Sequence, residues 1–342
     1  MNVKLSHIFE EIISVDNLLF AWKEFEKGKK NKIDVLKFSE RLMDNILSLH
    51  YDLASRTYAH GGYKAFKISD PKPRDIHKAS VLDRLLHHAI YRVAYPYFDR
   101  KFICDSYSCR NGKGTHKAMS RFKQYHNEVS KNNTRTCWVL KCDIRKFFAN
   151  IDHQILRDIL EKHIEDEDLM WLLGEVVGSF NTEGKTGKGL PLGNLTSQLL
   201  VNIYMNEFDQ YMKHVLKVKW YIRYADDFCM LSGNKKELEQ LLSQTGDILK
   251  GKLELELHPD KVSIKTFSSG VDFLGWVHFP AYSVLRTSTK RRMMERIRKR
   301  LNDETVGSYL GMLKHGNGHL IREEIVSIQN GASGWIPSAN KV

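Results

Sequence analysis

Two adjacent carboxylates, Asp226 and Asp227, sit between aromatic and apolar runs in the stretch Trp220–Ser232, WYIRYADDFCMLS. Neighbouring carboxylates repel each other, so the arrangement is costly unless a cation is shared there. The flanks read as strands over Trp220–Tyr224 and Phe228–Leu231, with a tight turn aiming the acids away from a packed sheet. An ordinary solvated hairpin with a polar tip has the same pattern. A third acid, Asp143, ends the apolar run Thr136–Ile144, TCWVLKCDI, which reads as a buried strand. A sheet that sets these elements side by side gathers three carboxylates at one edge. Hard oxygen ligands of this kind suit Mg²⁺, which is commonly held by one or two carboxylates together with substrate phosphates. Two such ions can activate a 3′-hydroxyl and stabilise a leaving pyrophosphate. In that chemistry the acids position cations and are not general bases.

The chain around these acids is long enough, at 342 residues, for two or three packed subdomains. Its apolar content of 42 % and charged content of 27 % place it among soluble globular proteins. A net charge of +12 points to a polyanionic partner, most simply nucleic acid. No apolar run reaches membrane-spanning length, and the N-terminus lacks a signal-peptide core, so a cytoplasmic protein is expected. The five cysteines are odd in number and form no CxxC, which reads as reduced thiols and no zinc site.

The positioning elements follow from periodicity. Residues 1–60 are mostly helical in pattern, and 61–80 are extended around Pro71 and Pro73. Val81–Tyr95 reads as an amphipathic helix that Pro96 ends. Helices are expected over Gln154–His163, Leu169–Phe180, Leu195–Leu216 and Lys235–Lys250. Strands are expected over Leu253–Leu257 and Val262–Thr266, a hairpin over Gly270–Phe279, and basic helix from Thr287 onward.

Several segments, in order, resemble the motifs of reverse transcriptases from about residue 60 to 315. Tyr224-Ala225-Asp226-Asp227 resembles the YxDD signature, and DIRKFFANIDH (Asp143–His153) the first catalytic motif. GLPLGNLTSQLLVNIYMNEFD (Gly189–Asp209) resembles the template- and nucleotide-contacting motif, HPDKVSI (His258–Ile264) the lysine motif, and FLGW (Phe273–Trp276) the primer grip. DSYSCRNGKGTHKA (Asp105–Ala118) resembles a fingers motif of bacterial enzymes. The resemblance implies an α+β right-hand polymerase fold: an antiparallel palm sheet backed by helices, with helical fingers and thumb. It divides the chain into an N-terminal helical extension (1–60), fingers (61–135), palm (136–280, with 165–200 contributing to the fingers), and thumb and tail (281–342). It implies two Mg²⁺ ions, with Mn²⁺ as a possible substitute, held by Asp143, Asp226, Asp227 and the carbonyl of Ile144. The implied substrates are dNTPs, and the implied partners are template RNA, primer and cDNA, with no membrane.

Other roles carry over by position. Phe148 is placed as the aromatic under the incoming sugar that excludes a 2′-hydroxyl, although Phe147 and Phe148 can both be read as core. Lys72 and Arg74 are placed as the triphosphate clamp, or as charges that block edge pairing. Lys261 is placed as the proton donor to pyrophosphate, or as a plain surface lysine. Arg84 reads as a structural ion-pairing residue, and Arg110 as structural or template-binding. Lys290, Arg291, Arg292, Arg296, Arg298, Lys299 and Arg300 form a basic thumb run, and Arg292, Arg296, Lys299 and Arg300 can share a helix face toward duplex phosphates.

Many enzymes of the family carry Gln before the motif glycine. Here the sequence is Leu192-Gly193-Asn194-Leu195-Thr196-Ser197-Gln198, which resembles reverse transcriptases of diversity-generating retroelements. So does SYLGMLKH (Ser308–His315). That subtype implies error-prone copying at template adenines, and an accessory variability protein or structured non-coding RNA as partner. Gly193 lets backbone approach nucleotide or template closely, and Gln198 replaces the usual proline. An antiviral-defence (antiphage) reverse transcriptase copying a dedicated non-coding RNA shares the same chemistry. A group II intron enzyme is expected less, because no maturase extension follows the thumb. A catalytically silent RNA-binding module is the alternative of another class, and the intact acids argue against it.

Overall fold

The computed structural model describes residues 4–68, 73–299 and 301–329. In chain order the elements are α1 (Phe9–Ile13), α2 (Val15–Phe25), α3 (Ile33–Ser39), α4 (Leu42–Ala54), β1 (Lys64–Ile68), β2 (Arg74–Lys78), α5 (Val81–Asp99) and α6 (Thr115–Ser130). Then come β3 (Trp138–Asp143), α7 (His153–Glu161), α8 (Glu167–Gly178), α9 (Leu195–Gln210), β4 (Tyr221–Tyr224), β5 (Asp227–Ser232) and α10 (Lys235–Leu253). Last are β6 (Ser263–Thr266), β7 (Val271–Phe273), β8 (Trp276–His278), β9 (Ser283–Leu285), α11 (Thr287–Lys299), α12 (Asp303–Leu313) and α13 (His319–Gln329). The fold is the expected α+β architecture.

The chain forms two compact units: Met1–Gly114, Lys141–Met230 and Glu239–Val262 in the first, and Thr115–Leu140, Leu231–Leu238 and Ser263–Val342 in the second. One four-stranded sheet has the order β4-β5-β3-β6. The ends of β3 and β5 that carry acids, with all of β4, belong to the first unit.

In the first unit α5 is the central helix. Ser80 caps it by accepting from Asp83 N–H, and Leu85, Leu86, Ala89 and Ile90 bury one face, on which α2 and α9 pack. The helices of the 1–60 stretch are therefore built onto this core through α1 and α2. In the second unit, α6 belongs with the antiparallel sheet β7-β8-β9 and helices α11–α13. Met119, Trp276, Met293, Ile297 and Ile325 share its core.

Two expected boundaries are corrected. Pro96 does not end α5, which runs through it to Asp99. A proline in the last turn removes only one backbone hydrogen bond, and the burial of Tyr97 and Phe98 holds the turn helical. Leu253–Leu257 is not a strand: α10 runs to Leu253, Glu254 adopts a left-handed φ of 48°, and Leu257 makes only an isolated bridge with Ile144. The basic helix also differs in detail. Arg292 is half-buried, while Lys290 and Arg298 both pair with Glu324. Arg300 lies outside the described residues, as does the tail from 330 onward.

Candidate active site

The acids of the first unit are set by β-sheet register. β4 and β5 pair antiparallel with Tyr224 opposite Asp227, which leaves a two-residue loop, Ala225-Asp226. Ala225 carries a φ of 54°, the sign that a type II′ hairpin turn needs at its first loop residue. Asp226 is thus the loop tip, while Asp227 is the first residue of β5. The backbone N–H of Ile144 donates to the carbonyl of Asp226 at 3.1 Å, which brings the end of β3 against the turn. On the other side, His258 N–H donates to the Asp143 carbonyl at 2.7 Å and Arg145 N–H to that of Glu256 at 2.9 Å. The segment 256–261 therefore lies along 143–145, and Lys261 Nζ reaches Asp143 Oδ1 at 2.7 Å.

The electrostatics are those of crowded, poorly solvated carboxylates. Burial, and then the negative charge of Asp143, hold Asp226 above the ordinary carboxylate range, against the pull of Lys261 and Arg74. Burial, reinforced by Asp226 and Asp143, pushes Asp227 up to about 7, although Lys141 Nζ stands 3.4 Å from its Oδ2. Asp227 Oδ1 is buried without a hydrogen-bond partner. An orphaned carboxylate oxygen beside two further acids fits a divalent cation. Among the described residues no group of three His, Cys, Asp or Glu side chains forms a ready-made metal cage. Mg²⁺ does not need one, because waters and substrate phosphates usually complete its shell. Asp143, Asp226 and Asp227 are the side chains that would hold it.

Ile144 is buried at the end of β3. Phe147 is buried and Phe148 half-buried, with their rings 5.6 Å apart at 75°. Arg74 opens β2 at an exposed position, and its charge reaches Asp226. Lys72 lies outside the described residues. The Leu192 carbonyl accepts from His77 N–H at 3.0 Å, and Asn194 Nδ2 donates to the His77 carbonyl at 2.9 Å. Between them, Gly193 has a φ of 105° and passes so close to β2 that an added Cβ would stand 2.8 Å from Ile76 Cγ2. Leu192 and Gly193 therefore brace the strand that carries Arg74. Gln198 is half-buried in the first turn of α9. Arg84 pairs with Asp34 at 2.7 Å, and Arg110 pairs with Asp99 while donating to the carbonyls of Asp99, Ile103 and Ser106, so both are structural.

Reading the sequence for acids missed three charged side chains around them. Lys141 lies two residues before Asp143, on the same face of β3, and pairs with Asp227. Arg223 and Asp209 form a fully buried ion pair at 2.6 Å behind the turn. The available signal was a lone arginine in an aromatic strand and a lone aspartate on an apolar helix, since each needs a partner when buried.

The family pattern described as Reverse transcriptase (RNA-dependent DNA polymerase) matches residues 69–278, more than half of the chain. The chain belongs to the reverse transcriptase family. Its enzyme class is RNA-directed DNA polymerase. Protein YkfC of Escherichia coli (strain K12) is 27 % identical over 272 residues, covering 68 % of this chain and 69 % of YkfC. Group II intron-encoded protein LtrA of Lactococcus lactis subsp. cremoris is 23 % identical over 341 residues, covering 80 % of this chain and 55 % of LtrA. Among solved structures, apo telomerase of Candida tropicalis, truncated from its C-terminal domain, shares the fold with a TM-score of 0.50 at 13 % identity. That match covers 71 % of this chain and 60 % of the telomerase chain, so this reverse transcriptase spans little more than half of LtrA and of the telomerase. Among the described residues, no helix is long and apolar enough to cross a membrane.

Proposed function

We propose that this chain copies an RNA template into cDNA, with Asp143, Asp226, Asp227 and the Ile144 carbonyl holding two Mg²⁺ ions. The observation that carries the reading is the convergence of three acids in the first unit with the buried, unpartnered Oδ1 of Asp227. The cations, when bound, supply charge stabilisation for the 3′-oxygen and the pyrophosphate. The chain's other groups act on the substrate. Arg74, with Lys72, clamps the triphosphate, and Phe148 packs under the sugar. Lys261, whose ammonium neutralises Asp143, serves the departing pyrophosphate as a general acid. We assign residues 61–135 to fingers, 136–280 to palm, with 165–200 contributing to the fingers, and 281–342 to thumb and tail. Primer extension on an RNA template with Mg²⁺ tests the reading. Wild type extends and Asp226→Ala does not; equal extension by both sinks it.

Within the family we favour an error-prone retroelement enzyme, on the strength of Leu192 before Gly193 and of Ser197-Gln198. An intron-encoded lineage is the second reading, favoured by the likeness to LtrA over 341 residues. Nucleic acid that co-purifies with the protein separates the two: a structured template with a variable repeat supports the first, a spliced intron the second.

A further inference from the structure

Among the described residues Arg223 is the largest side chain buried without residual exposure, and its partner Asp209 on α9 is equally buried. Its Nε donates to Asp209 Oδ1 at 2.8 Å, and its Nη2 donates to Oδ2 at 2.6 Å. Nη2 also donates to Ser106 Oγ at 3.1 Å. Nη1 donates to the Ala225 carbonyl at 3.0 Å and lies 3.4 Å from Asn202 Oδ1. Tyr221 O–H donates to Asp209 Oδ1 at 2.6 Å. The Arg223 backbone is held as well: its N–H donates to the Asp105 carbonyl at 2.9 Å, and its carbonyl accepts from Tyr107 N–H at 3.0 Å.

The contact with Ala225 is the informative one. That carbonyl belongs to the peptide that leads into Asp226, at a residue held in a left-handed conformation. The next peptide, whose carbonyl is Asp226's own, is held by Ile144 N–H. Asp226 is thus gripped through both of its peptides, one from the buried guanidinium and one from the end of β3 beside Asp143. A guanidinium can do this because its planar fork reaches a carboxylate and a carbonyl at once; an ammonium is a single point charge. If the purpose were stability alone, an apolar pair of similar volume would serve as well or better.

We propose that Arg223, anchored by Asp209, is a positioning residue that sets the Ala225–Asp226 peptide and so the placement of the Asp226 carboxylate toward a divalent cation. The proposal rests on the reading of Asp226 as a metal-holding carboxylate. The test is Arg223→Lys in the full chain, which keeps a charge against Asp209 and gives up the reach to Ala225. Single-nucleotide addition on a primer–RNA template should lose about tenfold or more in kcat, with KM for the nucleotide within about threefold. Calorimetric titration with Mn²⁺ alone should show affinity weakened by roughly threefold or more, while primer–template binding is unchanged. A kcat within about threefold of wild type overturns the proposal, as does wild-type Mn²⁺ affinity or a parallel loss of template binding. If Arg223→Lys does not fold, Ser106→Ala decides, because it removes one restraint on the guanidinium and leaves the ion pair intact. A several-fold drop in kcat supports the proposal and an unchanged kcat overturns it. Asp226→Ala in parallel separates the two claims: an active Asp226→Ala defeats the catalytic reading, whereas an inactive one beside a fully active Arg223→Lys defeats only this proposal.

Discussion

Gly193→Ala tests the brace between the segment 192–194 and β2, and the sign of its effect is diagnostic. Gly193 is exposed, so the added methyl gains nothing through burial. At a compatible exposed position, Gly→Ala stabilises by about 0.4–1 kcal/mol through the unfolded chain. Here φ is 105°, a region L-residues rarely occupy, and such strain costs about 1–3 kcal/mol. The new Cβ also meets Ile76 Cγ2 at 2.8 Å, on a β-branched side chain with little freedom to turn away. These two effects net to a loss of between about 0 and 2.6 kcal/mol, and the contact with Ile76 adds to it. Urea unfolding of Gly193→Ala, Ile76→Ala and the double variant separates the terms. Removing the Ile76 branch relieves the contact and leaves φ strained, so the pair should couple by about 0.5–1 kcal/mol. The bonds on both sides of His77 should loosen with β2, which raises KM for the nucleotide through Arg74. A Gly193→Ala variant as stable as wild type, or more so, would refute the reasoning.

Three further outcomes are expected. Phe148→Ala should admit ribonucleotides, and unchanged dNTP/rNTP selection in competitive primer extension would remove Phe148 from the gate. Leu192→Gln should alter the error spectrum on an adenine-rich RNA template, read by sequencing the cDNA; an identical spectrum reduces Leu192 to packing. Asp83 should contribute acid-limb stability. Burial works against its ionised form, but Ser80, the nearby His60, Tyr58 and the Gly61 N–H overcome it and lower the pKa. A lowered folded pKa gives stability that is full above the unfolded value of about 4 and is lost as pH falls through the folded one. The stability gap between wild type and Asp83→Asn in urea melts should therefore shrink below about pH 4, and a gap that widens there contradicts the assignment.

The sequence alone determined the hairpin around Asp226 and Asp227, the strand ending in Asp143 and the order of the motifs, because alternation and breakers act over a few residues. It placed Phe148 under the sugar by motif position alone, since neighbouring aromatics on one short 3₁₀ turn have no period to sort core from site; the structure buries Phe147 and leaves Phe148 half-buried. Tertiary structure decided what each charge faces. Lys261 meets Asp143 across 118 residues, Lys141 meets Asp227, and Arg223 is buried against Asp209. It also overruled the local signal of Pro96, because burial of Tyr97 and Phe98 outweighs one missing hydrogen bond. Local preferences carry the period of an element. The partner of a buried ion is chosen by desolvation, and desolvation exists only once distant segments have packed.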